Sequence, residues 1–282
     1  MHFLEHAFFD SLKIVPFIFT IYLVIEYFEH KNNTWLSHRL MKSKKCGAIY
    51  GALLGSIPQC GFSVIAADLF SRRSVTMGTL IAIFVATSDE AVPIILSTPE
   101  NAHLILKVIG IKVVIAIAAG LLIDALVKSK DPTAHCTEGS HHEHFHGNCE
   151  NCDDGILKSA AKHTLKIFAF IFLATLILTF MIESVGEEKL AGYLLKDTVF
   201  QPFIAALIGL IPNCAASVIL TKSFLSGAIS FGSLIAGLSS GAGVGILVLV
   251  KRNKNVKENI FIIGALYFIG ALSGIILQTI CI

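Results

Sequence analysis

The sequence predicts an all-α polytopic membrane protein built as an inverted repeat, and three observations support this fold class. Of its 282 residues, 54% are apolar and only 15% are charged. Eight apolar blocks follow one another, each long enough to cross a bilayer. One stretch of sequence recurs 154 positions later. Each half is predicted to hold three spans and one re-entrant helical hairpin, giving six spans and two hairpins, or about ten membrane segments.

The composition excludes several classes of protein. Soluble domains carry about 25% charged residues, so 15% charged residues and a mean hydropathy of +0.74 indicate a lipid environment. The net charge is only +2, and the basic residues are scattered over several loops. This distribution excludes a nucleic-acid-binding surface. Seven unevenly spaced cysteines do not make a disulfide framework. A soluble enzyme or a nucleic-acid binder is therefore not expected.

The eight apolar blocks have the lengths of membrane segments and are much longer than soluble strands. The first block has neither a basic leader nor a small-residue cleavage site, so we expect a retained span rather than a signal peptide. The blocks are residues 8–28, 46–70, 75–97, 104–127, 165–182, 200–221, 228–250 and 260–282.

Basic residues in the loops decide between two topologies. Lys and Arg are concentrated in loops 29–45, 71–74 and 251–258. Eight simple crossings would place 71–74 outside, against the positive-inside rule. If blocks 46–70 and 200–221 each enter the membrane and return, all three basic loops lie inside and both termini lie outside. We therefore predict that these two blocks are the re-entrant hairpins.

The internal repeat is gap-free. Between 52 and 82, 14 of 31 residues are identical to those 154 positions later. Apolar composition alone produces chance matches of Leu or Ile, but not a shared Pro-[Gln/Asn]-Cys-x-x-Ser. An odd number of spans per half inverts the second half, which is an architecture of secondary transporters. We predict a first repeat at 1–127, a His/Cys-rich cytoplasmic loop at 128–160 and a second repeat at 161–282.

Two prolines stand in the middle of apolar blocks. Pro58 and Pro212 each remove a backbone donor, so we predict a helix break at each, at the hairpin tips. A proline kink within a continuous span is the alternative. The polar side chains beside the two breaks are Gln59, Cys60, Asn213 and Cys214.

Two adjacent carboxylates, Asp89 and Glu90, lie inside an apolar block. Each costs roughly 2.5–3.5 kcal/mol at the centre of a spanning helix, so a cation or protonation is expected to neutralise the pair. Hydration at the outer interface is the alternative, but Pro93 and further apolar residues separate the pair from the next loop.

The equivalent stretch of the second half, from Ser239 to Gly245, offers hydroxyls and glycines but no carboxylate. Its glycines fit either close helix packing or an unwound helix with available carbonyls. Lys112 is a lone cation inside the fourth block, for which snorkelling or a helix–helix contact is predicted. The predicted ion pathway is formed by polar residues near the midplane: Asp89, Glu90, Gln59, Cys60, Asn213, Cys214, Ser63, Ser217, Thr87, Ser88, Ser239 and Ser240.

A tract rich in histidine and cysteine lies between the two halves. Imidazole and thiolate both bind Zn²⁺ and related metals, so we predict metal capture beside the transport entrance. A merely solvated loop is the alternative. On the predicted topology the tract faces the cytoplasm, where thiols stay reduced. The predicted ligands are His135, Cys136, His141, His142, His144, His146, Cys149 and Cys152.

Three runs of sequence carry a family resemblance: 51–64 around Pro58-Gln59-Cys60, 71–79, and 86–91 around Asp89-Glu90. They resemble the manganese transporter family, also described as arsenic-efflux-like ten-transmembrane heavy-metal exporters. The resemblance covers essentially the whole chain. It implies a metal exporter in the cytoplasmic (inner) membrane of a bacterium or archaeon.

The leading interpretation is a secondary-active transporter that exports a divalent heavy-metal ion by alternating access. Manganese is the first candidate for this ion, and no enzyme activity is expected. The chain has no Walker-type phosphate loop, so an ion or voltage gradient is expected to drive transport. No permanently bound cofactor is expected, because the metal ion (manganese, zinc or another) is the substrate. The expected partners are this ion and the lipid bilayer, with no nucleic acid and with a homodimer left open.

The cysteines of the sequence leave two other functions open. An arsenite or organoarsenical efflux permease would use Cys60 and Cys214 as paired ligands. A membrane thiol oxidoreductase would need a cysteine pair on the oxidising side, whereas Cys149 and Cys152 are predicted inside.

Overall fold

A computed structural model describes residues 46–57, 61–87, 91–96, 102–127 and 200–280, with the single positions 165, 169 and 173. Within these ranges all regular secondary structure is helical. This agrees with the all-α fold class. The helices are α1 Cys46–Gly55, α2 Gly61–Ser71, α3 Met77–Ala86, α4 Ala91–Leu96, α5 Ala102–Leu126, α6 Gln201–Gly209, α7 Cys214–Leu225, α8 Phe231–Ser240, α9 Gly245–Arg252 and α10 Val256–Ile280.

Four stretches of the described chain are long and apolar enough to cross a membrane. Two are the long helices of 25 residues, α5 and α10. The other two, Met77–Leu96 and Phe231–Arg252, each join two shorter helices, α3 with α4 and α8 with α9. The protein is therefore a multi-pass membrane protein, and two of its spans are interrupted.

The helices of residues 46–126, the N-terminal half, correspond in order and position to those of residues 200–280, the C-terminal half. Helix α3 begins at Met77 and α8 at Phe231, and α5 begins at Ala102 and α10 at Val256, so each pair is 154 positions apart. This is the spacing of the repeat in the sequence. The two halves thus place their helix ends at equivalent residues.

Small residues bring α1 against α3 in the N-terminal half. A methyl group added at Gly47 would overlap Thr79, one at Gly51 would press on Thr79 and Ile83, and one at Gly55 would overlap the Ile83 carbonyl. Glycines four residues apart allow two helices to approach this closely. Contacts that advance together along both helices show that α1 and α3 run parallel.

The C-terminal half repeats this arrangement with α6 and α8. Near the start of α6, the Gln201 Oε1 atom accepts hydrogen bonds from the Ser230 backbone N–H and the Ser233 hydroxyl, each at 2.9 Å. At its end, a methyl group at Gly209 would overlap the Gly237 carbonyl. These contacts also advance together, so α6 and α8 run parallel.

The long helices run antiparallel to the interrupted spans. The Asp124 carboxylate, near the end of α5, accepts hydrogen bonds from the Thr76 hydroxyl and the Gly78 N–H at the start of α3, both at 2.8 Å. A carboxylate at a helix N-terminus satisfies free N–H groups and opposes the helix dipole. In the C-terminal half, Gly274 near the end of α10 lies against Gly232 at the start of α8.

The two halves contact each other through two pairs of helices and share an apolar core. Helix α2 packs on α9 of the other half, and α7 packs on α4. The largest apolar cluster includes Phe84 and Ile81 from the N-terminal half and Leu249 and Ile262 from the C-terminal half, all of them fully buried. The interrupted spans therefore lie at the centre, where the halves meet.

Candidate cation site at two helix breaks

Both interrupted spans leave the helical conformation at buried positions. Helix α3 ends at Ala86, and the next residue, Thr87, is extended with ψ 130°. Helix α8 ends at Ser240, and Gly241 is extended with ψ 105°. The last carbonyl groups of a helix have no intrahelical donor, so each break leaves carbonyl oxygens available for another partner.

Local chemistry holds the two breaks in place. At the first, both the backbone N–H and the hydroxyl of Thr87 donate to the Ile83 carbonyl, at 3.1 and 2.7 Å. At the second, Gly243 has φ +52°, a left-handed conformation that favours glycine. Residues 241–244 separate α8 from α9, so the glycine-rich stretch is an unwound segment rather than only a packing surface.

Lys112, near the middle of α5, connects the two breaks. Its side chain is fully buried, and its ammonium donates hydrogen bonds to the Thr87 carbonyl and to the Leu238 carbonyl, the latter at 2.8 Å. Snorkelling, one of the two predicted roles, is wrong, because the Lys112 ammonium points into the protein and meets the available carbonyls. The other predicted role, a helix–helix contact, is confirmed.

The electrostatics of this arrangement favour a positive charge. Thr87 caps the C-terminus of α3, and Leu238 lies in the last turn of α8. The C-terminal end of a helix carries roughly half a negative elementary charge, so two such ends facing one point attract a cation. Hydrogen bonds to a charged group contribute about 1.5–3 kcal/mol each.

The buried hydroxyls near the second break have different roles. The Ser240 hydroxyl lies within 2.7 Å of the Ala206 carbonyl and 3.0 Å of the Gly237 carbonyl, so it fastens α8 to α6. The Ser239 hydroxyl oxygen is also fully buried but makes no hydrogen bond to the described part of the chain. Of the two predicted serines, Ser239 thus keeps an oxygen free to bind a ligand.

The remaining predicted residues that the structure describes lie in α2, in α7 and in the link just before α7. Ser63 is fully buried and packs against Gly245 at the start of α9. Pro212 lies in the non-helical link before α7, and the Asn213 side chain caps that helix by accepting from the Ala215 N–H at 3.2 Å. Cys214 is half-buried at the first position of α7.

Ser217 is half-buried one turn further along α7, and its carbonyl accepts the Thr221 hydroxyl at 2.7 Å. Of the predicted residues, Thr87 thus contacts Lys112 through its carbonyl, and Ser239 directly follows Leu238, whose carbonyl Lys112 also bonds. Predicted residues that lie outside the described residues are Pro58, Gln59, Cys60, Ser88, Asp89, Glu90 and the loop residues His135, Cys136, His141, His142, His144, His146, Cys149 and Cys152.

A second charged cluster, not predicted from the sequence, joins the halves at one end of the bundle. The buried Asp68 carboxylate of α2 lies 3.0 Å from Arg72 and 3.4 Å from Arg252 of α9. Beside it, Arg73 pairs with Glu258 of α10 at 3.0 Å. The sequence signal that could have indicated this cluster is the spacing of Asp68 and Arg72 by one helical turn.

Within the described ranges, no group of three or more His, Cys, Asp or Glu side chains is placed to hold a metal ion. The oxygens that the structure brings together here include the backbone carbonyls of Thr87 and Leu238. Such oxygens bind hard cations, and the Lys112 ammonium already interacts with two of them.

The family comparison decides the class of protein. A family model described as "Putative, 10TM heavy-metal exporter" (ArsP_2) matches residues 1–184 and 151–281, which together cover nearly the whole chain. The chain belongs to this heavy-metal exporter family. The description names heavy metals, so the arsenical alternative is not favoured. No curated protein and no solved structure matches the chain significantly.

Membership of a heavy-metal exporter family fits the architecture of the described helices. An exporter needs several membrane-spanning helices and a buried place where an ion loses its water. The interrupted spans of this exporter provide polar backbone atoms inside an otherwise apolar core, which is tolerated in a membrane only where protein or a cavity surrounds them.

Proposed function

We propose that this heavy-metal exporter is a secondary-active transporter for a divalent ion, with manganese the first candidate, that works by alternating access at the two helix breaks. One observation carries the location of the site: the buried Lys112 ammonium bonds carbonyls from both interrupted spans. Discontinuous helices that meet near the midplane are a recurrent way to build ion sites in secondary transporters.

The parallel helix pairs support the proposed re-entrant hairpins. Because α1 and α3 run side by side in the same direction, the chain must return to its starting end through α2. The same reasoning applies to α6, α7 and α8, where Gln201 also bonds the Ala228 carbonyl in the link that follows α7. Segments 46–71 and 200–225 therefore each fit a hairpin that enters the membrane and leaves it on the same side.

The ion pairs at one end support the proposed inversion. Helix α3 begins just after Arg73, whereas α9 ends at Arg252, and these residues lie in adjoining ion pairs. The interrupted spans of the two halves therefore run in opposite directions. This arrangement supports two inverted repeats, 1–127 and 161–282, separated by a loop at 128–160.

The same end supports the proposed orientation. Basic links 71–74 and 251–258 come together there, and the positive-inside rule assigns such an end to the cytoplasm. The chain then lies in the cytoplasmic membrane of a bacterium or archaeon with both termini outside. The loop from 128 to 160 faces inward, where its histidines and cysteines capture metal before export.

Asp89 and Glu90 supply the negative charge in this mechanism. They follow Thr87 directly in the sequence, with only Ser88 between. Two carboxylates with carbonyl and hydroxyl oxygens make a hard ligand set that suits Mn²⁺ better than soft metals. The ion is a transported substrate and not a resident cofactor, and a gradient of ions or voltage drives its release outside.

Transport by the purified exporter tests this proposal. In proteoliposomes with an imposed proton gradient or potential, we expect flux of Mn²⁺, weaker flux of Zn²⁺ and none of arsenite. Protein-free vesicles, and vesicles without a gradient, are the controls. The proposal would be refuted if the exporter carried arsenite but no divalent ion. It would also be refuted if the flux of divalent ions did not depend on the gradient.

A further inference from the structure

We propose that the Lys112 ammonium is a tethered cation that shares its binding position with the transported ion, so that the ion binds by displacing it. The inference deepens the proposed function and rests on it for the identity of the competing ion. Lys112 was not among the predicted pathway residues, and the family description assigns it no role.

The position has the atoms of a cation site. The Thr87 and Leu238 carbonyl oxygens, one from each half, both accept from the Lys112 ammonium. Next to Leu238 in the chain, the fully buried Ser239 hydroxyl oxygen makes no hydrogen bond to any described residue. Carbonyl and hydroxyl oxygens at helix C-termini suit ammonium and hard metal ions alike, because both are held by negative partial charge.

The other half shows what a purely structural residue at this depth looks like. Lys112 corresponds through the 154-residue offset to Leu266, which is also fully buried but packs in the apolar core. Leucine therefore suffices for the packing of a long helix here. A buried ammonium is expensive in a membrane, so its use in one half only points to a role of the charge.

Displacement follows from electrostatics. An ion held by the same carbonyls would lie within a few ångströms of the ammonium, and like charges repel strongly where the dielectric constant is low. Either the ion or the ammonium can hold the position. The ammonium thereby lowers ion affinity and replaces the ion at release, keeping both interrupted spans connected.

The first experiment compares Lys112→Met with its matched control Leu266→Met, which places the same side chain at the equivalent depth. Thermal stability of the purified full chain is followed while Mn²⁺ is titrated, because a ligand of the folded state raises Tm. Lys112→Met lacks the competing charge, so we expect its half-maximal rise in Tm at an Mn²⁺ concentration roughly 10-fold or more below that of wild type. The half-maximal Mn²⁺ concentration of Leu266→Met should stay near that of wild type. An unchanged or higher concentration for Lys112→Met would overturn the inference.

The second experiment does not depend on the metal. Lys112→Ala removes three carbons and the ammonium from the side chain, which are the atoms of n-propylammonium. We expect the substitution to lower Tm and millimolar n-propylammonium chloride to restore it. 1-Propanol at the same concentration should not restore Tm. Wild type and Leu266→Ala should respond to neither. Equal rescue by propanol, or no rescue by propylammonium, would show a packing role only and overturn the inference.

The two experiments separate the inference from the function. If wild type transports no divalent ion but propylammonium rescues Lys112→Ala, the proposed function fails and the tethered cation stands. If wild type transports Mn²⁺ but Lys112→Met binds it no more tightly, the displacement fails and the exporter stands.

Discussion

Replacing Asp89 with Asn and Glu90 with Gln together is expected to reduce Mn²⁺ flux in proteoliposomes to the level of empty vesicles. The two amides keep the size of the side chains but remove both negative charges. A divalent ion that loses its water inside a membrane needs those charges, because neutral oxygens alone compensate little of its hydration. Flux per mole of protein, with the folded state checked by thermal unfolding, is the measurement.

Asp124→Asn is the matched control for this double substitution. Asp124 is also a carboxylate on a spanning helix, but it bonds Thr76 and Gly78 at the end of α3. We expect Asp124→Asn to lower Tm and to leave the flux of the folded protein within roughly two-fold of wild type. Normal Mn²⁺ flux in the double variant would contradict the assignment of Asp89 and Glu90.

Asp68→Asn is expected to give a large loss of stability at the basic end. The Asp68 side chain is only 3% exposed and neutralises two arginines, one from each half. Breaking a buried ion pair costs about 3–5 kcal/mol, and the partly exposed arginines reduce this to roughly 1–3 kcal/mol. Because the pair joins the halves at this end, we also expect the flux of the variant to change.

Glu258→Gln makes the same chemical change in the neighbouring pair. Arg73 is 57% exposed there, so the loss is expected to stay below about 1 kcal/mol. Unfolding midpoints of both variants in the same detergent provide the comparison. Equal midpoints would contradict the role of Asp68 as the buried connection between the halves.

Much of the fold follows from one-dimensional patterns. Apolar length predicted membrane spans, and four of the described stretches meet that criterion. The 154-residue offset in the sequence reappears in the helix bounds because equivalent residues, such as Thr76 and Ser230 at N-caps, start equivalent helices. Local signals of this kind act within a few residues and are readable without the structure.

The roles of single polar residues were harder to predict. Asn213 and Ser240 stay predicted residues of the ion pathway, and the structure adds a contact that the sequence did not predict for either: Asn213 caps α7, and Ser240 fastens α8 to α6. The same donor and acceptor atoms serve a cap or a ligand site, and only the neighbouring backbone distinguishes the two.

Long-range partners explain what sequence reasoning missed. Lys112 is placed mid-span by the sequence, but its meeting with the Leu238 carbonyl, 126 positions away, depends on how the halves pack. Asp68 likewise pairs with Arg252 of the other half.

The most direct test of the central claim, a cation site between the two helix breaks, is the anomalous scattering of Mn²⁺ in crystals of the exporter grown with the ion. We predict an anomalous peak between the Thr87 carbonyl and the Ser239 hydroxyl, with the Lys112 ammonium moved away from it. A peak confined to the 128–160 loop or to the membrane surfaces, with none between the breaks, would contradict the account.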